Sequence, residues 1–339
     1  MASSKGTPEA VLVLSVGGPE RPEDVWPFLE RVAQGKNIPE TRLKTVAERY
    51  LSFGGHSPHN AACRALLTHL AELFAREGPP VALYWGNRFW YPSIGEALIQ
   101  MAEEGIQTAT ALVLSPFGSY AGCRAYREAL QQARQEVGCA DLEIRKLRLF
   151  YNHPLFIEAV GQRVQEVIGK LPDGSRGKIR VIFSAHSLPV SMAAVSPYVH
   201  QFTVAARLVA ERVGLREFDL VYQSRSGDPT SPWLEPDIVQ HLQALARDGF
   251  DGTLIVVPIG FIVENMETAY DLDVEAANVA EDLGIPLVRA GTAACTEPFL
   301  RLVRELVLEQ FLPEHPREFL GADGPWPDEC PPDCCRFRR

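Results

Sequence analysis

Ile179-Arg180-Val181-Ile182-Phe183-Ser184 runs directly into Ala185-His186-Ser187-Leu188-Pro189. A short β-branched and aromatic run without polar alternation reads as a strand buried on both faces, and the small, turn-forming residues behind it read as its exit loop. Seven more such runs stand in the chain: Val11 to Val16, Val81 to Trp85, Ala109 to Ser115, Ile144 to Leu149, Leu220 to Gln223, Leu254 to Ile259 and Pro286 to Ala290. Between most of them apolar residues recur at three- and four-residue spacing, as in Ala62 to Ala75, Ile94 to Met101, Ala125 to Val137 and Phe156 to Ile168, which predicts helices. Strand and helix alternating throughout predict an α/β fold with parallel sheets flanked by helices. The order of elements restarts near Tyr151, and Leu171 to Gly177 is a polar connector. We therefore expect one lobe over residues 1–150, a second over 151–320, and a tail over 321–339, where Pro, Asp and Cys replace the apolar periodicity.

The chain has 339 residues, 46% hydrophobic and 22% charged, which is enough apolar material for more than one core. With 43 acidic against 33 basic side chains, the net charge of -10 disfavours nucleic acid and a broad anionic membrane contact, and leaves a cationic or metal substrate compatible. No apolar run of about 18 residues appears, and Met1 to Glu9 lacks a basic region followed by an apolar one. The expectation is a cytoplasmic protein without a transmembrane segment, with peripheral membrane contact and oligomeric state open. Seven cysteines in such a chain point to metal binding or burial rather than a disulfide framework.

Ligands of doubly wound folds sit beyond the carboxyl ends of the strands, so chemistry should follow the strands closely. Three segments do: Ser15-Val16-Gly17-Gly18-Pro19, the His186 loop, and Pro258-Ile259-Gly260-Phe261 leading into an acidic run. A strand-end histidine can move protons near neutral pH; a histidine satisfied inside its turn is the plain alternative. In the acidic run, Glu264, Glu267, Asp271 and Glu275 would fall within an arc of roughly 80° along roughly 16 Å of one α-helix. Four like charges on one face mark either a solvated surface or a site that needs negative charge.

Taken together, these segments resemble the signature blocks of the ferrochelatase family. The blocks are Phe183 to Pro189; Pro258 to Phe261 followed by Glu267, Asp271 and Glu275; Tyr222-Gln223-Ser224-Arg225 with Pro232-Trp233-Leu234; Leu14 to Glu20; Phe53 to Pro58; and Gly86-Asn87-Arg88. The resemblance implies two similar Rossmann-type lobes around a porphyrin cleft, with ferrous iron and a porphyrin as substrates. It implies His186 as proton acceptor or metal-facing residue with Glu267, and Glu267, Asp271 and Glu275 as a path for proton removal. Val16, Trp90, Phe117, Tyr120 and Trp233 match wall segments, with ordinary core packing as the alternative for each aromatic. Where the family commonly carries a histidine two residues before the glutamate, this chain has Asn265, an amide that cannot take a proton. A chelatase for another metal and tetrapyrrole, and a non-catalytic porphyrin or heme sensor, are the competing readings. Val16, apolar where many coproporphyrin-using relatives carry an aromatic, favours protoporphyrin IX, whereas the actinobacterial likeness favours coproporphyrin III.

Cys330, Cys334 and Cys335 form a C-x3-C-C cluster in the tail, one thiolate short of the four that closed zinc and 2Fe-2S sites generally use. The tail also resembles that of actinobacterial-type ferrochelatases with a 2Fe-2S cluster, and that likeness implies Cys123 as the fourth ligand. A zinc site and a tail with incidental thiols remain the alternatives. Cys63, Cys139 and Cys295 sit in or beside apolar stretches and read as small buried hydrophobes.

Overall fold

The computed structural model describes residues 7–35, 38–172, 178–226 and 231–337. Most of the polar connector read at Leu171 to Gly177, and Met1 to Gly6 of the N-terminal segment, lie outside the described residues.

All eight runs form strands: β1 (Ala10–Ser15), β2 (Ala82–Asn87), β3 (Thr108–Val113), β4 (Glu143–Lys146), β5 (Ile179–His186), β6 (Phe218–Gln223), β7 (Thr253–Val257) and β8 (Leu287–Arg289). They make two four-stranded parallel sheets with the same order, β2-β1-β3-β4 and β6-β5-β7-β8. Every residue of β1 and of β7 is buried, as helices on both faces of a parallel sheet require.

The first sheet is accompanied by α1 (Val25–Ala33), α2 (Glu40–Ser52), α3 (His59–Glu77), α4 (Ile94–Glu103) and α5 (Ala125–Glu136). The second has α6 (Pro154–Lys170), the short α7 (Val190–Ala193), α8 (Tyr198–Val213), α9 (Ile238–Arg247), the single turn α10 (Met266–Ala269), α11 (Ala277–Asp282) and α12 (Glu297–Phe311). Helix α3 buries Cys63, Leu66, Leu70, Leu73 and Phe74, the three- and four-residue spacing read from the sequence.

One face of each sheet contributes to a shared core: Val11, Val13, Leu112, Val181, Phe183, Ile255 and Val257 belong to one buried cluster with α3, α6, α8 and α12. The opposite faces are capped separately, by α4 and α5 over Ala10, Leu12 and Leu14, and by α9 and the segment 272–280 over Ile182, Val221, Leu254 and Val256. In each sheet the chain leaves the first central strand (β1, β5) toward one neighbour and later returns on its other side, so a topological switch point lies beside that strand. The ends of β1 and β3 in one sheet, and of β5 and β7 in the other, are where a ligand crevice is expected.

Candidate active site

His186 is the last residue of β5, at the switch point of the second sheet. Its Nδ1 lies 2.5 Å from the Ser187 carbonyl oxygen. A carbonyl only accepts, so Nδ1 carries the proton and, in the neutral ring, Nε2 is left as a lone pair. That Nε2 is 3.3 Å from Glu267 Oε1. Burial alone would push the His186 pKa down. The Glu267 charge and hydrogen bond, the Ser187 carbonyl and the more distant Asp271 charge outweigh it, and the imidazole ends above its usual value.

The acidic run departs from the expected single helix. Asn265 is an N-cap: its side chain accepts from the Thr268 amide at 2.9 Å, and Thr268 Oγ1 accepts from the Asn265 amide at 3.1 Å. A local capping role thus occupies the position where the family's histidine is missing. Helix α10 lasts one turn before the chain widens into a π-turn over Asp271–Ala276, in which the Glu275 amide donates to the Tyr270 carbonyl. Glu264 precedes the cap and is held by Arg289 at 3.1 Å and Thr268 Oγ1 at 2.9 Å, so the four-carboxylate stripe reduces to Glu267, Asp271 and Glu275.

Asp271 and Glu275 share a cationic partner. Arg49 of α2 reaches across from the first lobe to Asp271 at 3.1 Å and Glu275 at 3.7 Å, with its guanidinium over the Tyr270 ring at 4.4 Å. Ser224 Oγ donates to Asp271 at 2.5 Å. Asp271 is only 5% exposed. Burial raises its pKa, the Ser224 hydrogen bond opposes, Glu267 adds to the rise and Arg49 opposes it, leaving a carboxyl near pH 6. Because the folded value lies above the ordinary 3.8, stability from this group is full below the unfolded pKa and is lost as pH rises through about 6. Asp271→Asn is therefore expected to raise stability at pH 8 by about 1–3 kcal/mol, with the gain vanishing near pH 4. Denaturant unfolding at both pH values checks it, and an equal shift at both would contradict it.

The first lobe closes on this acidic group. The Glu267 charge is felt at Tyr50, His59 and Tyr126 of that lobe, and at Tyr198 of the second. Val16 is half-buried just beyond β1, next to Gly17 (φ +80), where a Cβ would come within 2.7 Å of Trp90 and 2.9 Å of Asn87. Trp233 pairs by its backbone with Pro189, three residues past His186. Trp90 is buried against Phe28 of α1, with Arg31 of the same helix over its ring. Phe117, 1% exposed, packs on Tyr198, whose hydroxyl donates to the His186 carbonyl at 2.8 Å; it backs the site from behind as core. Tyr120 turns toward the tail, its ring 6.1 Å from that of Phe337.

The tail is docked rather than free. Arg124 donates to the carbonyls of Pro332 and Cys334, each at 2.8 Å, and Tyr151 and Asn152 hold Asp323, Leu320 and Gly324. Cys123 sits in a π-turn (Tyr120–Arg124) and is buried, as is Cys335. Cys334 and Cys335 have their sulfurs 3.5 Å apart. Burial pushes the thiols of Cys123, Cys334 and Cys335 up, and neighbouring cysteines of the same four, Cys330 among them, contribute to each rise. Among the described residues, however, no three His, Cys, Asp or Glu side chains stand as a ready metal cage. Of the other cysteines, Cys63 is fully buried, and Cys139 and Cys295 are partly so.

Arg49, Gln223 and Ser224 are absent from the sequence-derived candidates. Gln223 and Ser224 lie in a quoted family block, but nothing in spacing marks Arg49, whose role depends on a contact 222 residues away.

Two matched α/β lobes, with an imidazole and a carboxylate meeting at the switch point, define a protein of the chelatase fold. The fold is shared with the sirohydrochlorin chelatase SirB from Bacillus subtilis subspecies spizizenii in complex with cobalt, at a TM-score of 0.54 and 12% identity over 90% of this chain and 95% of that one. The ferrochelatase family matches residues 8–311, and the chain belongs to that family. It is 44% identical to a coproporphyrin III ferrochelatase of Frankia alni (97% of this chain, 87% of the relative). It is 41% identical to a ferrochelatase of Rhodopirellula baltica (97% and 93%), and 42% to a coproporphyrin III ferrochelatase of Mycolicibacterium smegmatis (93% and 93%). The enzyme inserts iron into a porphyrin; the sensor reading gives way to it.

Proposed function

We propose that the chain inserts Fe(II) into coproporphyrin III between two jaws divided near residue 150, with His186 taking the pyrrole protons. The observation that carries this is the His186 Nε2 standing 3.3 Å from Glu267 Oε1, at a strand-end crevice. Metallation replaces two N–H protons by one Fe(II), so two protons must leave for each iron that enters. The Ser187 carbonyl keeps Nδ1–H fixed, so Nε2 is the atom that accepts, and Glu267 stabilises the imidazolium that forms. Asp271, with its pKa near 6, can hold or pass a proton close to neutrality, and Glu275 stands nearer to solvent. Carboxylate oxygen followed by imidazole nitrogen gives iron progressively softer ligands as it sheds water. Val16 and Trp233 would form walls against which the flat ring is bent to expose its nitrogens, with Trp90 packed behind Gly17 as support.

Two of the three relatives named above are coproporphyrin III ferrochelatases, which supports coproporphyrin III over protoporphyrin IX. The test is anaerobic turnover of purified protein with Fe(II) and each porphyrin. Coproporphyrin III is expected to give at least a tenfold higher kcat/KM, about 1.4 kcal/mol of transition-state discrimination; no metalloporphyrin with either would end this reading.

The four thiols Cys123, Cys330, Cys334 and Cys335 fit a 2Fe-2S cluster by donor type and number. Arg124, next in the chain to Cys123, donates to the carbonyls of Pro332 and Cys334 and so docks the tail beside Cys123, which supports that assignment. When bound, such a cluster supplies one-electron redox capacity and a cross-link from the tail to the first lobe. Cys335→Ser is expected to lose the visible iron-sulfur absorbance completely, measured on protein purified without oxygen. A colourless wild type reconstituted with iron and sulfide would refute the assignment.

A further inference from the structure

His186 is fixed by its strand and Glu267 by a one-turn helix, so something must hold the two elements in register. In the β5–β6 ladder His186 is paired with Gln223, and the Ser187 amide donates to the Gln223 carbonyl at 2.7 Å. The Gln223 side chain then turns the other way: its Nε2 donates to the Glu267 carbonyl at 2.8 Å. A carbonyl can only accept, which fixes the amide's orientation. That carbonyl lies just before α10 gives way to the π-turn. Where a helical ladder changes from four- to five-residue spacing, one carbonyl loses its in-register donor and needs another.

We propose that Gln223 is a positioning residue of the chelation site, setting the separation of His186 and Glu267 by binding the backbone next to His186, at Ser187, and that of Glu267. The inference rests on the proposed proton-accepting role of His186. Gln223 is 1% exposed, and its Oε1 is buried without a hydrogen-bond partner. An apolar side chain of similar shape would spare that acceptor but leave the Glu267 carbonyl without its donor, so the amide is kept for its hold on Glu267. Its neighbour Ser224, at φ +63, anchors the Asp271 carboxylate, so the end of β6 grips the acidic segment at two points four residues apart in that segment.

The test compares the full chain with Gln223→Leu and Gln223→Glu, using Fe(II) and coproporphyrin III without oxygen. Gln223→Leu should lower kcat about 10- to 100-fold, the range for partners that orient a reacting group. Its KM for porphyrin should stay within about twofold, because the interaction serves the transition state rather than binding. Gln223→Glu keeps the shape and regains a donor only when protonated, so its activity relative to Gln223→Leu should climb as pH falls. Wild-type kcat in Gln223→Leu overturns the proposal, as does a loss confined to KM. Should Gln223→Leu not fold, Gln223→Glu decides: a loss of kcat that eases toward acid pH supports positioning, and one independent of pH refutes it. An inactive wild type sinks the proposed function and this inference with it, whereas an active wild type matched by Gln223→Leu sinks only this one.

Discussion

His186→Ala is expected to lose about 10²- to 10⁴-fold in iron insertion, the range that a positioned general base contributes, while porphyrin still binds. The side chain's contacts are the Ser187 carbonyl on one nitrogen and Glu267 on the other. Neither is part of the apolar core, and the strand around His186 is held by its ladder to Gln223 and by the Tyr198 hydroxyl on the His186 carbonyl. Removing the ring leaves those bonds in place, so the melting midpoint should move by only a few degrees. Porphyrin affinity, read from quenching of protein fluorescence, should change by less than a factor of about five, since the walls contribute most of the apolar contact. Three measurements on one variant therefore separate chemistry from folding and from binding. Retention of more than about a tenth of wild-type turnover would place the proton acceptor elsewhere, and Glu267 would be the next group to test.

The fold was legible because both of its requirements are local. A parallel strand covered on two faces needs an uninterrupted apolar run, and a covering helix needs apolar residues at three- and four-residue spacing; β1, β5, β7 and α3 satisfy these within their own segments. His186 was legible for the same reason, since a polar residue at the end of such a run lies at the carboxyl edge of the sheet. The acidic segment was legible in content but not in shape. Periodicity assumes one helical pitch, and the Asn265 cap followed by a π-turn breaks that assumption through hydrogen bonds that composition does not reveal. Arg49 and Gln223 were hidden for another reason: their partners lie 222 and 44 residues away. Phe117 shows the converse limit, because an aromatic after a strand end fits a ligand wall and a core equally well, and only its neighbours Tyr198 and Phe202 decide for the core.

Glu267→Gln is expected to lower turnover about 10- to 100-fold with porphyrin still bound, and to change its pH dependence as well. The substitution keeps size and removes the charge 3.3 Å from the His186 Nε2. In the wild type, burial pulls the imidazole pKa down, while the carboxylate, the Ser187 carbonyl and the Asp271 charge together pull it up by more, so the net shift is upward from 6.5. Without the charge the imidazole pKa falls, and His186 remains neutral to lower pH. The acid limb of kcat/KM should therefore move to lower pH in Glu267→Gln, and the ratio of variant to wild-type activity should be highest on the acid side. Stability follows the same linkage. An imidazole whose folded pKa is raised contributes stability that is complete below its unfolded pKa and is lost as pH rises through the folded value. Glu267→Gln removes that contribution, so the wild type should be the more stable protein below about pH 6, and the difference should vanish in mildly alkaline buffer. A reduced kcat whose acid limb stays at the wild-type pH would mean that Glu267 acts on the iron or on the ring without tuning the histidine. A limb that moves with kcat unchanged would leave the pair coupled but remove Glu267 from the rate-determining step.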